Sequence, residues 1–239
     1  MENIITAENM HQFAYTNENE CPGPYKAIVL DFHGLGFSRM VSETPSFAQA
    51  CTEHAVLYVF PYYGPWSWMN DVAVKFTDSI IDAAFEKYQL AQDTPIISTG
   101  GSMGGLSALT YTRYAKRTPA ACAVNRPVCD LPYHFTERVD LPRTIYHAFA
   151  HYDCGLEEAM ESASPMHQVD NMPDIPYYIV HGDADKSVNM QRHPDRFVAK
   201  MREKNYTITY EQVPGMGHPD FEGDPVTRYW DFIFSFVKG

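Results

Sequence analysis

A serine that could act as a nucleophile stands at position 102, in the string G-G-S-M-G of residues 100–104. The string fits the pattern G-x-S-x-G and lies between a predicted strand over residues 95–99 and a predicted helix that begins at Met103. In such a strand–turn–helix setting, small neighbours let the backbone turn sharply and hold the hydroxyl exposed above a sheet. The pattern therefore predicts acyl transfer at Ser102, with a structural glycine-rich turn or a phosphate-binding loop as the alternatives.

A serine hydroxyl is a weak nucleophile at neutral pH, so it needs a base, and the base needs an acid that orients it. Two candidate acids, Asp183 and Asp185, lie in the string H-G-D-A-D-K-S-V directly after the fifth predicted strand. The candidate base, His218, lies in the string G-M-G-H-P after the sixth predicted strand. Because ligands bind at the carboxyl ends of the strands in open α/β sheets, we expect these residues at the same sheet edge as Ser102.

The loops that hold these residues follow short, continuous apolar runs, which suit strands buried on both faces of a parallel sheet. The predicted strands cover residues 27–32, 55–60, 95–99, 121–124, 176–180 and 206–213. Predicted helices alternate with them, over residues 71–88 with Asp71 as the cap, over residues 103–116, and onward from Pro194 and from Asp224. This alternation predicts a doubly wound, mostly parallel sheet with helices on both faces, and residues 12–15 could add an antiparallel edge strand.

One connection, residues 125–174, is much longer than the others. Connections of this length inside a compact domain are usually functional. We therefore expect a small helical lid, inserted into a single domain that spans residues 1–239.

The order serine, aspartate, histidine, together with the elbow, the H-G-D-x-D-x-x-V string and the late G-x-G-H, resembles the α/β-hydrolase superfamily over about residues 27–239. Within that superfamily the chain is most similar to the prolyl oligopeptidase-like and dienelactone hydrolase-like esterases. The resemblance implies that Ser102 is the nucleophile, Asp185 the acid and His218 the general base and acid. Asp183 is the competing acid, and its other possible role is to stabilise the turn.

The string H-G-L-G at residues 33–36 follows the first long predicted strand and resembles the superfamily's loop that supplies one oxyanion donor. The resemblance implies that the backbone N–H groups of Leu35 and Met103 stabilise the charge that develops on the carbonyl oxygen. Leu35 stands where the superfamily usually has glycine. This replacement keeps the backbone N–H, but the leucine side chain could narrow the pocket. A plain glycine turn is the alternative.

An aromatic-rich segment, residues 60–68, follows the second of these strands at the same predicted sheet edge. Pocket walls are mostly apolar and aromatic, so Trp66 and Trp68 are candidates to stack on a sugar ring or an aromatic acyl group. The alternative is that the segment packs under the lid or at a dimer contact. His33 and Gly36 are the other residues expected to line the substrate pocket.

A metal site has one weak candidate, since His147 and His151 are four residues apart with Asp153 close behind. Exposed helical residues explain this spacing equally well, and we expect neither a metal nor another cofactor.

The 239 residues include 18 Lys and Arg against 30 Asp and Glu, for a net charge of −12. Such an acidic chain is not suited to nucleic acid or to an anionic membrane surface, which both need clustered cations. Five cysteines at irregular spacing, without a C-x-x-C pair, are typical of reduced thiols. Residues 1–12 lack the features of a secretory signal, so we expect a cytoplasmic protein, with a homodimer as a candidate assembly.

These features predict a serine hydrolase that cleaves small carboxylic esters through an acyl-enzyme, with neutral esters favoured by the negative net charge. Acylated sugars and esters of aromatic acids are the candidate substrates. A peptidase or acyl-amino-acid hydrolase is the first alternative. It requires an anchor for a charged peptide terminus, and Glu157, Glu158 and Glu161 could bind an amine, although a solvated charge cluster explains them better. The second alternative is a non-catalytic binding protein on the same fold.

Overall fold

A seven-stranded sheet forms the centre of the molecule in the computed structural model, which describes residues 5–237. The strands, in chain order, are β1 (Ala14–Thr16), β2 (Ala27–Phe32), β3 (Val56–Pro61), β4 (Ile96–Gly101), β5 (Ala121–Asn125), β6 (Tyr177–Gly182) and β7 (Ile208–Val213). Their order across the sheet is β1-β3-β2-β4-β5-β6-β7, with β1 antiparallel to β3 and every other pair parallel. The mostly parallel sheet predicted from the apolar runs is confirmed, and so is the antiparallel edge strand.

Helices cover both faces of this sheet. They are α1 (Ser46–Glu53), α2 (Asp71–Lys87), α3 (Met103–Tyr114), α4 (Leu131–Glu137), α5 (Leu141–Phe149), α6 (Leu156–Ser162), α7 (Pro165–Gln168), α8 (Pro194–Glu203) and α9 (Asp224–Phe234). Short 3-10 turns form at Met10–Gln12 and Val169–Asn171. The apolar runs did not predict α1, and the cap of α2 is Asn70 rather than Asp71, because the Asn70 side chain accepts the N–H of Ala73 at 3.0 Å.

The core has two layers because side chains alternate along each strand. On β2, Ile28 and Leu30 pack into the layer beneath α2, α3 and α8, whereas Ala27 and Val29 pack into the layer beneath α1 and α9. The central strands are buried on both faces, which explains why their sequences are continuous apolar runs rather than alternating ones. The predicted doubly wound arrangement is thereby confirmed.

The long connection of residues 125–174 contains α4 to α7. Its apolar side chains, among them Leu131, Leu141 and Ile145, are fully buried and belong to the same layer as α2 and α3. The short helix α7 packs against α3 and α8. The insertion is therefore anchored on one face of the sheet through apolar side chains that join the core layer of α2 and α3.

None of the helices within residues 5–237 has both the length and the apolar character needed to span a bilayer. The cysteines, all of which lie in this range, are unpaired, and Cys154 is exposed whereas the other four are buried.

Candidate active site

Ser102 lies between the end of β4 and the start of α3, with φ of +59° and ψ of −123°. This left-handed conformation is strained for a residue with a side chain, and such strain is typical of functional turns. The turn is closed by two glycines that a larger residue could not replace. A Cβ on Gly100 would lie 2.3 Å from the Gly104 carbonyl oxygen, and a Cβ on Gly104 would lie 2.0 Å from the Phe32 carbonyl oxygen.

The structure brings Ser102, His218 and Asp185 together. The His218 Nε2 lies 3.0 Å from the Ser102 Oγ, and the His218 Nδ1 lies 2.7 Å from the Asp185 Oδ2. A proton on Nδ1 satisfies the carboxylate and leaves the Nε2 lone pair facing the serine hydroxyl. The His218 side chain is 25% exposed while that of Asp185 is fully buried, so the imidazole is accessible from the cleft and the carboxylate is not.

Asp185 is held as an anion by its surroundings. Its Oδ1 accepts the N–H groups of Ser187 at 2.8 Å and Val188 at 3.0 Å. Its Oδ2 also lies 3.3 Å from the Nε2 of the fully buried His181. Burial alone would raise the pKa of Asp185, but the hydrogen bonds from His181, His218 and the two amides outweigh it and hold the pKa well below its usual range.

Asp183, the competing acid, takes a different place. It is exposed, and its Oδ1 accepts the N–H of Gly215 at 2.7 Å. Asp183 therefore ties the loop after β6 to the loop after β7, the loop that carries His218, and does not contact the imidazole itself.

The two backbone amides predicted to form the oxyanion hole are those of Leu35 and Met103. The N–H of Met103 belongs to the first residue of α3, where helix geometry provides no acceptor. Neither this N–H nor that of Leu35 donates a hydrogen bond to any group within residues 5–237. Gly36, the next residue along the loop, uses its own N–H to bind the Pro65 carbonyl at 2.7 Å, which fixes the loop against the turn that follows β3.

Ser102 and His218 open into a cleft of about 620 Å³. Its aromatic wall is formed by Phe37, Phe47, Phe60, Phe221, Tyr229 and Trp230. His33 also lines the cleft, as expected, and its ring stacks on Tyr63 with the centroids 4.1 Å apart. Burial lowers the pKa of His33 to about 4, although a contact with the Gly34 carbonyl opposes the shift, so this imidazole is neutral at pH 7.

The expected pocket residues Trp66, Trp68 and Gly36 do not line this cleft among the residues that the structure describes. Trp68 is fully buried, and its indole N–H donates to Thr144 on α5 at 3.1 Å, so it packs between the aromatic segment and the insertion. Trp66 lines a separate cavity of about 470 Å³ with His147. The predicted positions of Trp66 and Trp68 differ from the observed ones because the segment after β3 turns toward α5 instead of toward Ser102.

Three polar residues of the cleft were not singled out from the sequence, namely Asp31, Asn125 and Arg126. Asp31 lies on β2 and accepts hydrogen bonds from Tyr58 and Thr99 at 2.6 and 3.0 Å. Asn125 and Arg126 lie at the carboxyl end of β5, the same edge as the serine and the histidine. That position was the signal in the sequence that could have identified them.

His147 and His151, the candidate metal ligands, do not form a common site. His151 binds Asp71 at 2.8 Å, with no role for His147 in that contact. Within residues 5–237, the side chains grouped closely enough for a metal are His134, Glu137 and His193.

This group does not suit a metal ion, because the lone pair of His193 is already used and the Nδ1 of His134 lies 2.6 Å from the Glu137 Oε2. The Nδ1 of His193 accepts the N–H groups of Cys129 at 3.2 Å and Asp130 at 3.1 Å, so the proton sits on Nε2. That proton points to Glu137 Oε2 at 2.9 Å. The group is a hydrogen-bonded clamp between α4 of the insertion and the loop before α8.

Several solved structures share the fold. A puromycin-hydrolyzing peptidase of Mycobacterium tuberculosis superposes with a TM-score of 0.75 and 18% identity, over 90% of this chain and 34% of the peptidase. An acylaminoacyl peptidase in complex with a chloromethyl ketone gives 0.68 and 15%, over 90% of this chain and 37% of the peptidase. The native esterase Est2 of Thermogutta terrifontis gives 0.65 and 15%, over 94% of this chain and 86% of the esterase. The predicted α/β-hydrolase fold is confirmed, and the chain spans about a third of the length of the two peptidases.

The comparison with curated protein sequences finds no match. The family model described as the prolyl oligopeptidase family matches residues 73–238, which is more than half of the chain and includes Ser102, Asp185 and His218. The chain therefore belongs to the prolyl oligopeptidase family.

Proposed function

We propose that this serine hydrolase cleaves small carboxylic esters through an acyl-enzyme intermediate. The observation that carries the proposal is the continuous proton path from Ser102 through His218 to Asp185, at 3.0 and 2.7 Å. The N–H groups of Leu35 and Met103, which donate to no other group within residues 5–237, support the proposal as candidate oxyanion donors.

The reaction follows from this geometry. The Ser102 Oγ attacks the ester carbonyl carbon while its proton moves to the His218 Nε2, and the negative charge collects on the carbonyl oxygen. The N–H groups of Leu35 and Met103 would stabilise that oxygen, which is commonly the largest single contribution to such catalysis. His218 then gives its proton to the leaving alkoxide as the bond to the alcohol oxygen breaks. A water molecule, deprotonated by the same imidazole, releases the acid and restores the serine.

The preference for esters is supported by the walls of the cleft. The carboxylates considered as anchors for a peptide amine, Glu157, Glu158 and Glu161, lie on α6. None of them lines the Ser102 cleft, whose surface is largely aromatic. A small apolar ester needs only this wall and the oxyanion donors, whereas a charged amino terminus needs a carboxylate. Asp31, the carboxylate that does line the cleft, already accepts hydrogen bonds from Tyr58 and Thr99.

Family membership favours a second candidate, a peptidase, because the matching family is named for an oligopeptidase. The test compares substrates that share one acyl group, N-acetylalanine p-nitrophenyl ester and N-acetylalanine p-nitroanilide, alongside simple p-nitrophenyl alkanoates. We expect Ser102-dependent hydrolysis of the esters and no release of p-nitroaniline above that of Ser102→Ala. Release of p-nitroaniline by the wild type that Ser102→Ala abolishes would contradict the proposal and favour the peptidase.

A further inference from the structure

Arg126 lies close to the proposed nucleophile. It lines the same cleft as Ser102 and His218, and it follows Asn125, whose carbonyl accepts the Ser102 N–H at 3.1 Å. Its own backbone is left-handed, with φ of +49°, and its N–H binds the Val180 carbonyl at 2.7 Å. Because this conformation is unfavourable for arginine, it fixes the direction in which the side chain leaves the sheet edge.

The guanidinium group is held on one side only. Its Nε and Nη2 donate to the Asn125 Oδ1 at 3.0 and 2.6 Å, and its plane lies over the Phe221 ring at 5.3 Å from the centroid. Asn125 is a neutral amide, so it orients the cation without neutralising it. Three of the five guanidinium hydrogens, on Nη1 and Nη2, have no acceptor among residues 5–237 and can form an end-on pair of hydrogen bonds.

No carboxylate of the described residues forms an ion pair with Arg126. Asp185 and Asp220 act on it only through their charge, and Asp31 lies elsewhere in the cleft wall. Each of these three carboxyl groups accepts hydrogen bonds from other partners. Burial lowers the pKa of Arg126, and the charges of Asp185, Tyr229 and Asp220 oppose the shift without forming an ion pair with it.

We propose that Arg126 binds a carboxylate carried by the substrate, so that the enzyme prefers esters with a second, free carboxyl group. The inference rests on the proposed ester hydrolysis at Ser102 and names its substrate class. Guanidinium matches carboxylate in shape and charge, and the aromatic wall provides a surface for the chain between the two carboxyl carbons. The net charge of −12 had favoured neutral esters, but a contact at hydrogen-bond distance outweighs a diffuse field that salt screens.

Two substrate pairs test the proposal and distinguish the side of the ester that carries the carboxylate. The acyl pair is the p-nitrophenyl half-ester of adipic acid and p-nitrophenyl hexanoate, and the alcohol pair is 3-acetoxybenzoate and phenyl acetate. We expect the wild type to prefer the charged member of at least one pair. In Arg126→Gln that preference, measured as a ratio of kcat/KM values, should fall about 10- to 100-fold, with a smaller fall in Arg126→Lys.

The matched control is Arg196→Gln, which removes the same charge from α8, where Arg196 lies 3.5 Å from Asp130. It should leave the ratio unchanged, since only short-range contact with the substrate matters. A ratio that does not change in Arg126→Gln, or that falls equally in Arg196→Gln, would overturn the proposal.

A binding measurement separates this inference from the proposed reaction. Monomethyl adipate is titrated calorimetrically into Ser102→Ala and into the double variant with Arg126→Gln. We expect binding that weakens at least tenfold in the double variant, whereas equal affinities or no binding would refute the role of Arg126. If the wild type hydrolysed no ester while this difference in affinity persisted, the proposed reaction would fail and the carboxylate site would stand.

Discussion

Replacing Asp185 with asparagine changes one atom of the side chain, and the structure determines how the new residue must face. The Oδ1 of Asp185 accepts two backbone N–H groups, those of Ser187 and Val188, and only an oxygen can do this. The asparagine must therefore keep its oxygen there and turn its Nδ2 toward His218. Since that Nδ2 donates hydrogens, the His218 Nδ1 has to accept, and the ring proton moves to Nε2, which faces Ser102.

An imidazole in this tautomer cannot take the serine proton. The equivalent substitution in a Ser-His-Asp triad lowers kcat about 10⁴-fold, and we expect a similar loss here, about 5.5 kcal/mol of transition-state stabilisation. The new amide also faces the Nε2 of buried His181, where the carboxylate oxygen lay at 3.3 Å. The His181 Nε2 keeps the Val188 carbonyl at 3.1 Å as an acceptor, so this change should cost only about 1 kcal/mol of folding stability, too little to unfold the domain.

The assay is kcat for p-nitrophenyl hexanoate, with the melting temperature recorded on the same preparations. The control is Asp183→Asn, two residues away, where the asparagine oxygen can still accept the Gly215 N–H. This control should keep kcat within about threefold of the wild type. The reasoning is refuted if Asp185→Asn keeps more than a tenth of the wild-type kcat, or if Asp183→Asn loses as much as Asp185→Asn.

Three further predictions concern stability. Burial opposes ionisation of Glu137, but hydrogen bonds from two histidines outweigh it and lower its pKa from 4.5 to about 2. A carboxyl group whose pKa is lowered by folding stabilises the fold at pH values above its unfolded pKa. The folding free energy should therefore lose about 1–2 kcal/mol, allowing for partial exposure of Glu137, as the pH falls from 4.5 toward 2. Urea unfolding should show the gap between wild type and Glu137→Gln closing over that range, and a constant gap would contradict the clamp. Trp68→Phe should destabilise the fold by about 2 kcal/mol and leave kcat within twofold of the wild type, because the indole is buried outside the cleft. A tenfold fall in kcat with an unchanged KM would show instead that Trp68 contributes to the active site. Gly104→Ala should prevent soluble expression because its Cβ would meet the Phe32 carbonyl oxygen. The control Gly155→Ala, whose Cβ would have open space around it, should express normally. Equal yields of the two variants would show that the turn at Ser102 tolerates a side chain at position 104.

Much of the site could be predicted because parallel topology simplifies the problem. Ser102, Asp185 and His218 each follow a predicted strand, and in a parallel sheet all those strand ends meet at one edge. The local signals around the serine were also sufficient, since only glycine fits at positions 100 and 104. Asp183 and Asp185 could be ranked only by resemblance, because they lie in one turn and differ in which of them reaches the histidine.

What could not be predicted depends on how distant segments pack. The direction of Trp68 is set by Thr144, 76 residues away, and sequence periodicity carries no information about that contact. The buried clamp of Glu137 and His193 joins residues 56 apart for the same reason. Arg126 was missed because a single arginine after a strand forms no motif with a recognisable spacing. Its candidate role follows only from the cleft that it lines and from the lack of an anionic partner among the described residues.

Covalent labelling tests the central claim, that Ser102 is a nucleophile activated by His218, most directly. The intact protein is treated with a fluorophosphonate and weighed by mass spectrometry, and the modified peptide is sequenced. The account predicts one phosphonyl group per chain, located on Ser102, with no adduct on Ser102→Ala and labelling slowed at least 100-fold in His218→Ala. An unlabelled wild type, or an adduct that persists in Ser102→Ala, would contradict it.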